Sequence, residues 1–464
     1  DSVSDPQHVQ QGNRVLDLQT PGSKKLVVAL CNAAGCTSSE PMTITVAAST
    51  STPVAAPTPV AAPTPVAAPT PVAAPTPVAA PTPVAAPAAG AEPITMAQAA
   101  IAKSGGRVFV GYYPSWSDNW FSAKNWNGSA LSDDEILKAS NFARIPATYT
   151  HVVVSFADPN FKWDGGNSWS GTGVNFNGQP ADIKAAIRVL HKRGMRVLLA
   201  VGGATYNDWA PLAAEGVAGN GPIIKALSAA MQYLDVDGLD VDYEIEGAGV
   251  ANVTQYVNAI KAMRAAVNLA GGNRVLTLAG WSTGADCTAA TGVQACGGKL
   301  SFWGGSAGRE RQVFANPAIA SMIDMVSIMS YDARFENYDA VVAYEMYRGL
   351  FPSNVVVNIG LETAPEGWAG AMLVVNDADA QCPGSVVLKD QYGNAVNKPY
   401  SVARLASAPL NNKLNSNVRD GAMLWQVLKT ATGNCGSAPL ASPGSLRAKI
   451  SEMYLLPADL RIAW

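Results

Sequence analysis

Charge, histidine and long apolar runs are all scarce in this chain of 464 residues. Only 14% of the residues are charged, and 32 Lys+Arg against 35 Asp+Glu leave a net charge of −3. That balance offers no basic footprint for nucleic acid or for an anionic membrane surface. No stretch approaches the roughly eighteen consecutive apolar residues of a membrane-spanning helix. The three histidines, His8, His151 and His191, stand at no ligand spacing to a cysteine pair, which argues against a zinc site. The six cysteines include no Cys-x-x-Cys and fall in three pairs along the chain: Cys31 with Cys36, Cys287 with Cys296, and Cys382 with Cys435. An even count suits disulfides and an oxidising compartment, with the connectivity left open. The chain opens on Asp1-Ser2-Val3-Ser4-Asp5, without a charged start and apolar core, and so reads as the mature or trimmed form of a secreted, extracellular protein.

What the sequence does have is a large apolar content, 48%, enough to bury a sizeable core and to build more than one unit. Residues 52–87 are six consecutive copies of Thr-Pro-Val-Ala-Ala-Pro. Proline at this density fixes φ and removes donors, so a linker over 52–92 is expected, its repeat an extended spacer of about 100 Å at ~3.1 Å per residue. Ahead of it, 25–30 and 42–46 alternate as strands around Asn32-Ala33-Ala34-Gly35. The pattern resembles the last hairpin of a fibronectin-III or immunoglobulin-like module. About fifty residues are too few to close a sandwich of ~100 residues, so 1–51 is read as a partial β-sandwich or hairpin unit.

From residue 93 to 464 the organisation changes. Eight apolar, strand-like runs recur at 107–113, 150–157, 196–202, 238–244, 274–281, 325–331, 354–361 and 421–427. Several are separated by stretches, such as 179–193 and 253–270, whose apolar residues return every three or four positions as on an outer helix. This alternation predicts an α/β fold, a (β/α)8 TIM barrel with long loops.

The most informative run is the fourth, Asp237-Gly238-Leu239-Asp240-Val241-Asp242-Tyr243-Glu244. In an extended strand its spacing points Asp240, Asp242 and Glu244 to one face. Three acids crowded together cannot all ionise freely, and at least one is pushed toward the protonated form that a general acid requires. Asp-x-Asp clusters also hold Mg²⁺ or Ca²⁺, or simply lie on solvated turns. The apolar flanks Leu234, Val236, Leu239 and Val241 place these acids at the end of a buried strand, where parallel α/β folds carry their chemistry.

The octad resembles the Asp-Gly-x-Asp-x-Asp-x-Glu signature of glycoside hydrolase family 18, the retaining chitinases. Met329-Ser330-Tyr331-Asp332 is similar to the family's Met-x-Tyr-Asp motif on strand six. Gly421-Ala422-Met423-Leu424-Trp425 is similar to its tryptophan-bearing strand eight, and Gly111-Tyr112-Tyr113-Pro114-Ser115-Trp116 to its strand one. One departure stands out: the family's strand-three Ser-x-Gly-Gly is here Ala200-Val201-Gly202-Gly203, without the serine that helps hydrogen-bond the inner aspartate. Altered pH behaviour is expected from that loss.

The resemblance implies hydrolysis of β-1,4 N-acetylglucosamine linkages in chitin with retention, through an oxazolinium formed by the substrate's own acetamide. It implies Glu244 as general acid/base, Asp242 orienting the acetamide, Asp240 sharing a proton with it, and Tyr331 holding the acetamide from the other side. Asp332 contacts the sugar, Trp425 forms an apolar wall, and Tyr113 and Met329 join the substrate contacts. Among the tryptophans near proposed strand ends, Trp116, Trp281 and Trp368 are the preferred sugar platforms. No cofactor and no metal are implied; the partners are chitin and chitooligosaccharides, and a monomer is expected. The short stretch between strands seven and eight, about 362–420, favours an endo-acting, open groove. The rival readings are an endo-β-N-acetylglucosaminidase on N-glycans, a non-catalytic chitin-binding lectin, and a divalent-metal hydrolase that a chelator would abolish.

Overall fold

The computed structural model describes residues 106–118, 130–287, 296–302, 308–333, 338–363, 373–377, 401–412, 418–429 and 440–456, together with the backbone of several short strands outside these ranges. The chain divides into two compact units, Asp1–Ala86 and Pro87–Trp464.

In the first unit, strand Gly22–Leu26 pairs antiparallel with Met42–Val46, and Ala29–Asn32 pairs with Gly35–Ser38. The continuous run expected at 25–30 is therefore split between two pairings. The tight hairpin sets Cys31 and Cys36 directly opposite each other in register. The proline-rich linker lies outside the described residues.

The second unit is a closed barrel of eight parallel strands. They are β1 (Phe109–Pro114), β2 (His151–Ala157), β3 (Arg196–Gly202), β4 (Gly238–Asp242), β5 (Val275–Gly280), β6 (Met325–Ile328), β7 (Val356–Glu362) and β8 (Ala422–Trp425). Each pairs with the next, and β8 closes on β1. All eight fall on the runs read from the sequence. The main differences are at the carboxyl ends of β4 and β6, which stop earlier than the apolar pattern does. Pairing of β4 with β5 ends at Val241 opposite Leu278. Beyond it the side chain of Asn252 donates to the carbonyls of Ile245, Glu246 and Gly247 and draws the chain off the sheet.

Alternation divides each strand between two cores. Val108, Val110, Tyr112, Val153, Leu198, Ala200, Met325, Val356 and Met423 pack inside the barrel. Their neighbours, among them Phe109, Val152, Val197, Leu239 and Ile359, pack outward against the helices. The outer layer includes α1 (Asp133–Ala139), α2 (Pro180–Lys192), α3 (Ala210–Ala218), α4 (Pro222–Leu234) and the long α5 (Val250–Ala270), followed by α6 (Arg309–Phe314). Capping boxes, Ser132 with Glu135 and Gln179 with Asp182, fix where α1 and α2 begin. Gly216 allows α3 to lie directly on α5, since a Cβ there would overlap the carbonyl of Asn258.

Cys287 and Cys296 form a disulfide in the β5–α6 loop. Cys382 and the side chain of Cys435 lie outside the described residues. No helix among the described residues is long and apolar enough to cross a membrane.

Candidate active site

A cleft of about 650 Å³ opens at the carboxyl ends of the strands. Its lining brings together Asp242, Glu244, Trp281, Met329, Tyr331, Asp332, Trp116 and Trp425, residues separated by up to 309 positions in sequence (425 − 116). Phe156, Asn175 and Tyr206 complete the walls. Glu244 stands two residues past the end of β4, in the loop and not on the strand as expected, and still lines the cleft.

The acids descend from the cleft into the barrel. Asp242 is 3% exposed and Asp240 1%. Asp240 is held by two hydroxyls, one on each carboxylate oxygen: Tyr112 donates to Oδ2 at 2.8 Å, and Thr277 donates to Oδ1. Register explains both contacts. Asp240 lies between Ala200 on β3 and Thr277 on β5, and all three side chains point inward. The hydroxyl missing from position 200 is thus supplied from the opposite neighbour. Burial pushes the Asp240 carboxyl up to about 6, while the Thr277 and Tyr112 hydroxyls hold it down.

Asp242 is raised well above the ordinary carboxylate range, first by burial and then by the charges of Glu244 and Asp240, with Arg309 opposing. Asp240 and Asp242 therefore titrate as an interacting pair, each shifted toward the protonated form. Oδ1 of Asp242 is buried with no hydrogen-bond partner among the described residues. Gly202 makes room for this end of β4: it has φ +112°, Gly203 N donates to the Asp242 carbonyl at 2.9 Å, and a Cβ at 202 would overlap that carbonyl and the Trp209 ring.

Tyr331 faces the same carboxylates. Burial and then the charge of Asp242, with Glu362 and Glu244 adding to it, push its phenol well above the usual range. It therefore remains a neutral hydroxyl donor. Trp425, Phe156 and Trp116 form an aromatic wall, with Phe156 stacked on both Trp425 (5.6 Å) and Trp116 (5.8 Å) and Tyr112 edge-on to Trp425 (5.9 Å). Trp116, 48% exposed, presents its ring at the rim of the cleft.

Tyr113 is not where it was expected. It occupies an outward position of β1, fully buried against Phe142 and Phe176 with its hydroxyl beside Asp118. The inward position is Tyr112, one residue earlier; the expectation chose the wrong parity on this strand. Trp368 lies outside the described residues. Of the other tryptophans near strand ends, Trp209 is core, tilted against Tyr243, and Trp163 and Trp169 pack with Phe161, Phe176 and Tyr233. Sequence reasoning missed Tyr112, Thr277, Phe156, Asn175, Tyr206 and Arg309. The signal for the first two is weak in the sequence: Tyr112 shares the parity of Val108 and Val110, which only the structure shows to face inward, and Thr277 lies three positions into the run that follows the acidic strand.

Comparison with known proteins agrees with this geometry. Residues 108–425, more than half of the chain, match the model of the glycosyl hydrolases family 18, and residues 1–54 match that of the chitinase A N-terminal domain. Similar solved structures include a chitinase from Rhizomucor miehei, with 16% identity and a TM-score of 0.41 over 74% of this chain and 100% of that one. A family 18 chitinase from Cycas revoluta in complex with (GlcNAc)3 has 16% identity and a TM-score of 0.44 over 75% and 99%. A further one, from Pseudoalteromonas aurantia, has 15% identity and a TM-score of 0.41 over 74% and 99%. With the family model spanning the barrel from β1 to β8, the chain belongs to family 18 of the glycosyl hydrolases and is a chitinase-class glycoside hydrolase.

Proposed function

We propose that this chain cleaves β-1,4 linkages between N-acetylglucosamine units of chitin with retention, by a substrate-assisted mechanism in which Glu244 is the general acid and base. Support comes foremost from Oδ1 of Asp242, a buried acceptor in the cleft with no donor among the described residues. A buried, unsatisfied acceptor is costly, and the acetamide N–H of a bound sugar is the donor that fits it. Accepting that hydrogen bond orients the acetamide carbonyl toward the anomeric carbon. Tyr331, a neutral donor facing Asp242, holds the acetamide from the other side.

The carbonyl oxygen then attacks the anomeric carbon as Glu244 protonates the departing glycosidic oxygen, giving an oxazolinium and a free chain end. Negative charge on Asp242 stabilises the positive charge that develops on the acetamide nitrogen. Asp240, with its two hydroxyl partners, takes up proton density as Asp242 gives it up. In the second half, the Glu244 carboxylate removes a proton from water as it opens the oxazolinium. Two displacements at one carbon restore the original configuration. Trp425, Phe156 and Trp116 offer faces on which sugar rings stack, and Trp425 shields the intermediate from stray water.

Endo-action on a long polymer belongs to the same reading. It draws on the short stretch between β7 and β8, and the proline repeat suits a catalytic unit working across an insoluble surface outside the cell as a monomer. Release of dimers from one end only of a long labelled oligomer would contradict it.

The test of the chemistry is Glu244→Gln assayed on a chromogenic N,N′-diacetylchitobioside. A loss on the order of 10³-fold in kcat is expected. Activity within a few-fold of the parent would remove Glu244 from its role.

A further inference from the structure

Behind the cleft a buried cation joins two of its walls. Arg309, the first residue of α6, is 3% exposed. Its guanidinium carbon lies 4.8 Å from the ring centre of Tyr256, 5.3 Å from Tyr243 and 5.5 Å from Trp281. One edge of the fork meets Glu310, with Nη2 at 2.5 Å and Nε at 3.2 Å from Oε1. The other edge, Nη1, donates to the carbonyl oxygen of Ile245 at 2.5 Å. The same Glu310 oxygen accepts the backbone N–H of Trp281 at 3.2 Å.

These contacts span the site. Ile245 directly follows Glu244 in the β4–α5 loop, and Trp281 follows β5 and lines the cleft. Glu244 itself lies beyond the strand, and side chains hold the carbonyl of the residue that follows it. Asn252 is one such clamp on the Ile245 carbonyl, at 3.2 Å, and Arg309 is the shorter one. A lysine could not replace it: a point charge with tetrahedral donors cannot pair with Glu310, reach Ile245 and sit over the Trp281 ring at once.

We propose that Arg309 is a positioning residue for catalysis, locking the Glu244 loop to the Trp281 wall so that acid and sugar platform keep one mutual geometry. The inference rests on the reading of Glu244 given above. A displacement of about 1 Å in a reacting group costs on the order of 10²-fold in rate, so loosening this lock should lower kcat well before the protein unfolds.

The test is the full chain carrying Arg309→Met together with Glu310→Gln, which removes both charges and strands neither. The readout is kcat and KM on the chromogenic chitobioside at 20 °C, with melting temperature measured on the same preparations. We expect kcat to fall about 10- to 100-fold while the fold is retained. A kcat within about twofold of the parent, whatever the melting temperature, would reduce Arg309 to a structural brace and overturn the proposal. Should the double variant fail to fold, Arg309→Lys keeps the ion pair with Glu310 and forfeits the span to Ile245. Its kcat is expected to be lower by roughly tenfold, and an unchanged kcat would again overturn the proposal. Glu244→Gln is run in parallel: activity there would sink the reading of the acid itself, whereas a dead Glu244→Gln beside a fully active Arg309 variant sinks only the positioning role.

Discussion

Tyr112 donates its phenolic proton to Oδ2 of Asp240 at 2.8 Å across the interior of the barrel, while the Thr277 hydroxyl takes Oδ1. Both bonds favour the charged carboxylate against a burial that disfavours it, and the balance leaves the group near 6. Removing either donor must shift that balance toward the protonated form. Thr277→Val and Tyr112→Phe should each move the acidic limb of the kcat/KM profile to higher pH and lower kcat at pH 6 by about tenfold. Ala200→Ser places a hydroxyl on the register partner of Asp240. Combined with Thr277→Val it should return the limb toward its parental position. A profile indifferent to all three changes would mean that Asp240 plays no part in the proton sharing.

At the opposite end of the barrel, Asp420 and Arg348 form a buried pair, 0% and 3% exposed in their side chains. Asp420 also accepts from Tyr344 and from the backbone of Val357. Losing one partner strands the other as an uncompensated buried charge, at a cost of about 3–5 kcal/mol. Asp420→Ala should therefore lower stability by that amount in denaturant titration, yet leave kcat of the folded fraction unchanged, because the pair lies at the amino ends of the strands. A large kcat loss at full folding would contradict this separation of roles.

Two histidines tie stability to pH with opposite signs. For His191, burial alone would lower the pKa, but the hydrogen bond (2.9 Å) and charge of Asp237 more than offset it, and the group is raised. Its stabilisation is complete below an unfolded pKa of about 6.5 and is lost as pH rises through the higher folded value. The partner Asp237 is lowered, its burial outweighed by His191 and by the Val197 N–H, so its contribution disappears as pH falls through the depressed folded value. His191→Ala should cost about 1 kcal/mol near pH 5 and less by pH 9. His151, buried on β2, is instead lowered to about 3. The unfolded chain takes up that proton first, so stability declines as pH falls below about 6.5. Melting curves of His191→Ala and the parent from pH 4 to 9 check the first sign, and a gap that widens with rising pH would refute it.

Activity on chitooligosaccharides should survive EDTA. The acids at this site are largely buried and inclined to hold protons, with Asp240 engaged by two hydroxyls, a setting suited to proton transfer and poorly suited to a divalent cation that demands ionised oxygens. Complete loss in chelator, restored by one divalent ion, would favour the metal-hydrolase alternative.

Much of this architecture can be read from residue order, and the reasons are physical. The eight strands are visible because parallel strands buried on both faces appear as continuous apolar runs, Arg196–Gly202 being the clearest, identical in sequence expectation and structure. The acids are visible because a period of two is stamped on Asp240, Asp242 and Glu244. The cross-strand partners are less legible. Whether Tyr112 or Tyr113 faces inward depends on a parity that two adjacent tyrosines conceal, and Thr277 meets Asp240 only through the register between β4 and β5. Arg309 is less legible still, since it stands 65 positions after Glu244 (309 − 244) and reaches the neighbouring Ile245 only through the folded chain.

The central claim is that the substrate's acetamide, and no water, makes the first attack on the anomeric carbon. Proton NMR of the products in the first minutes of hydrolysis of N-acetylglucosamine oligomers, before mutarotation, tests it most directly. The account predicts that the newly formed reducing end appears first as the β anomer. Initial formation of the α anomer would contradict it.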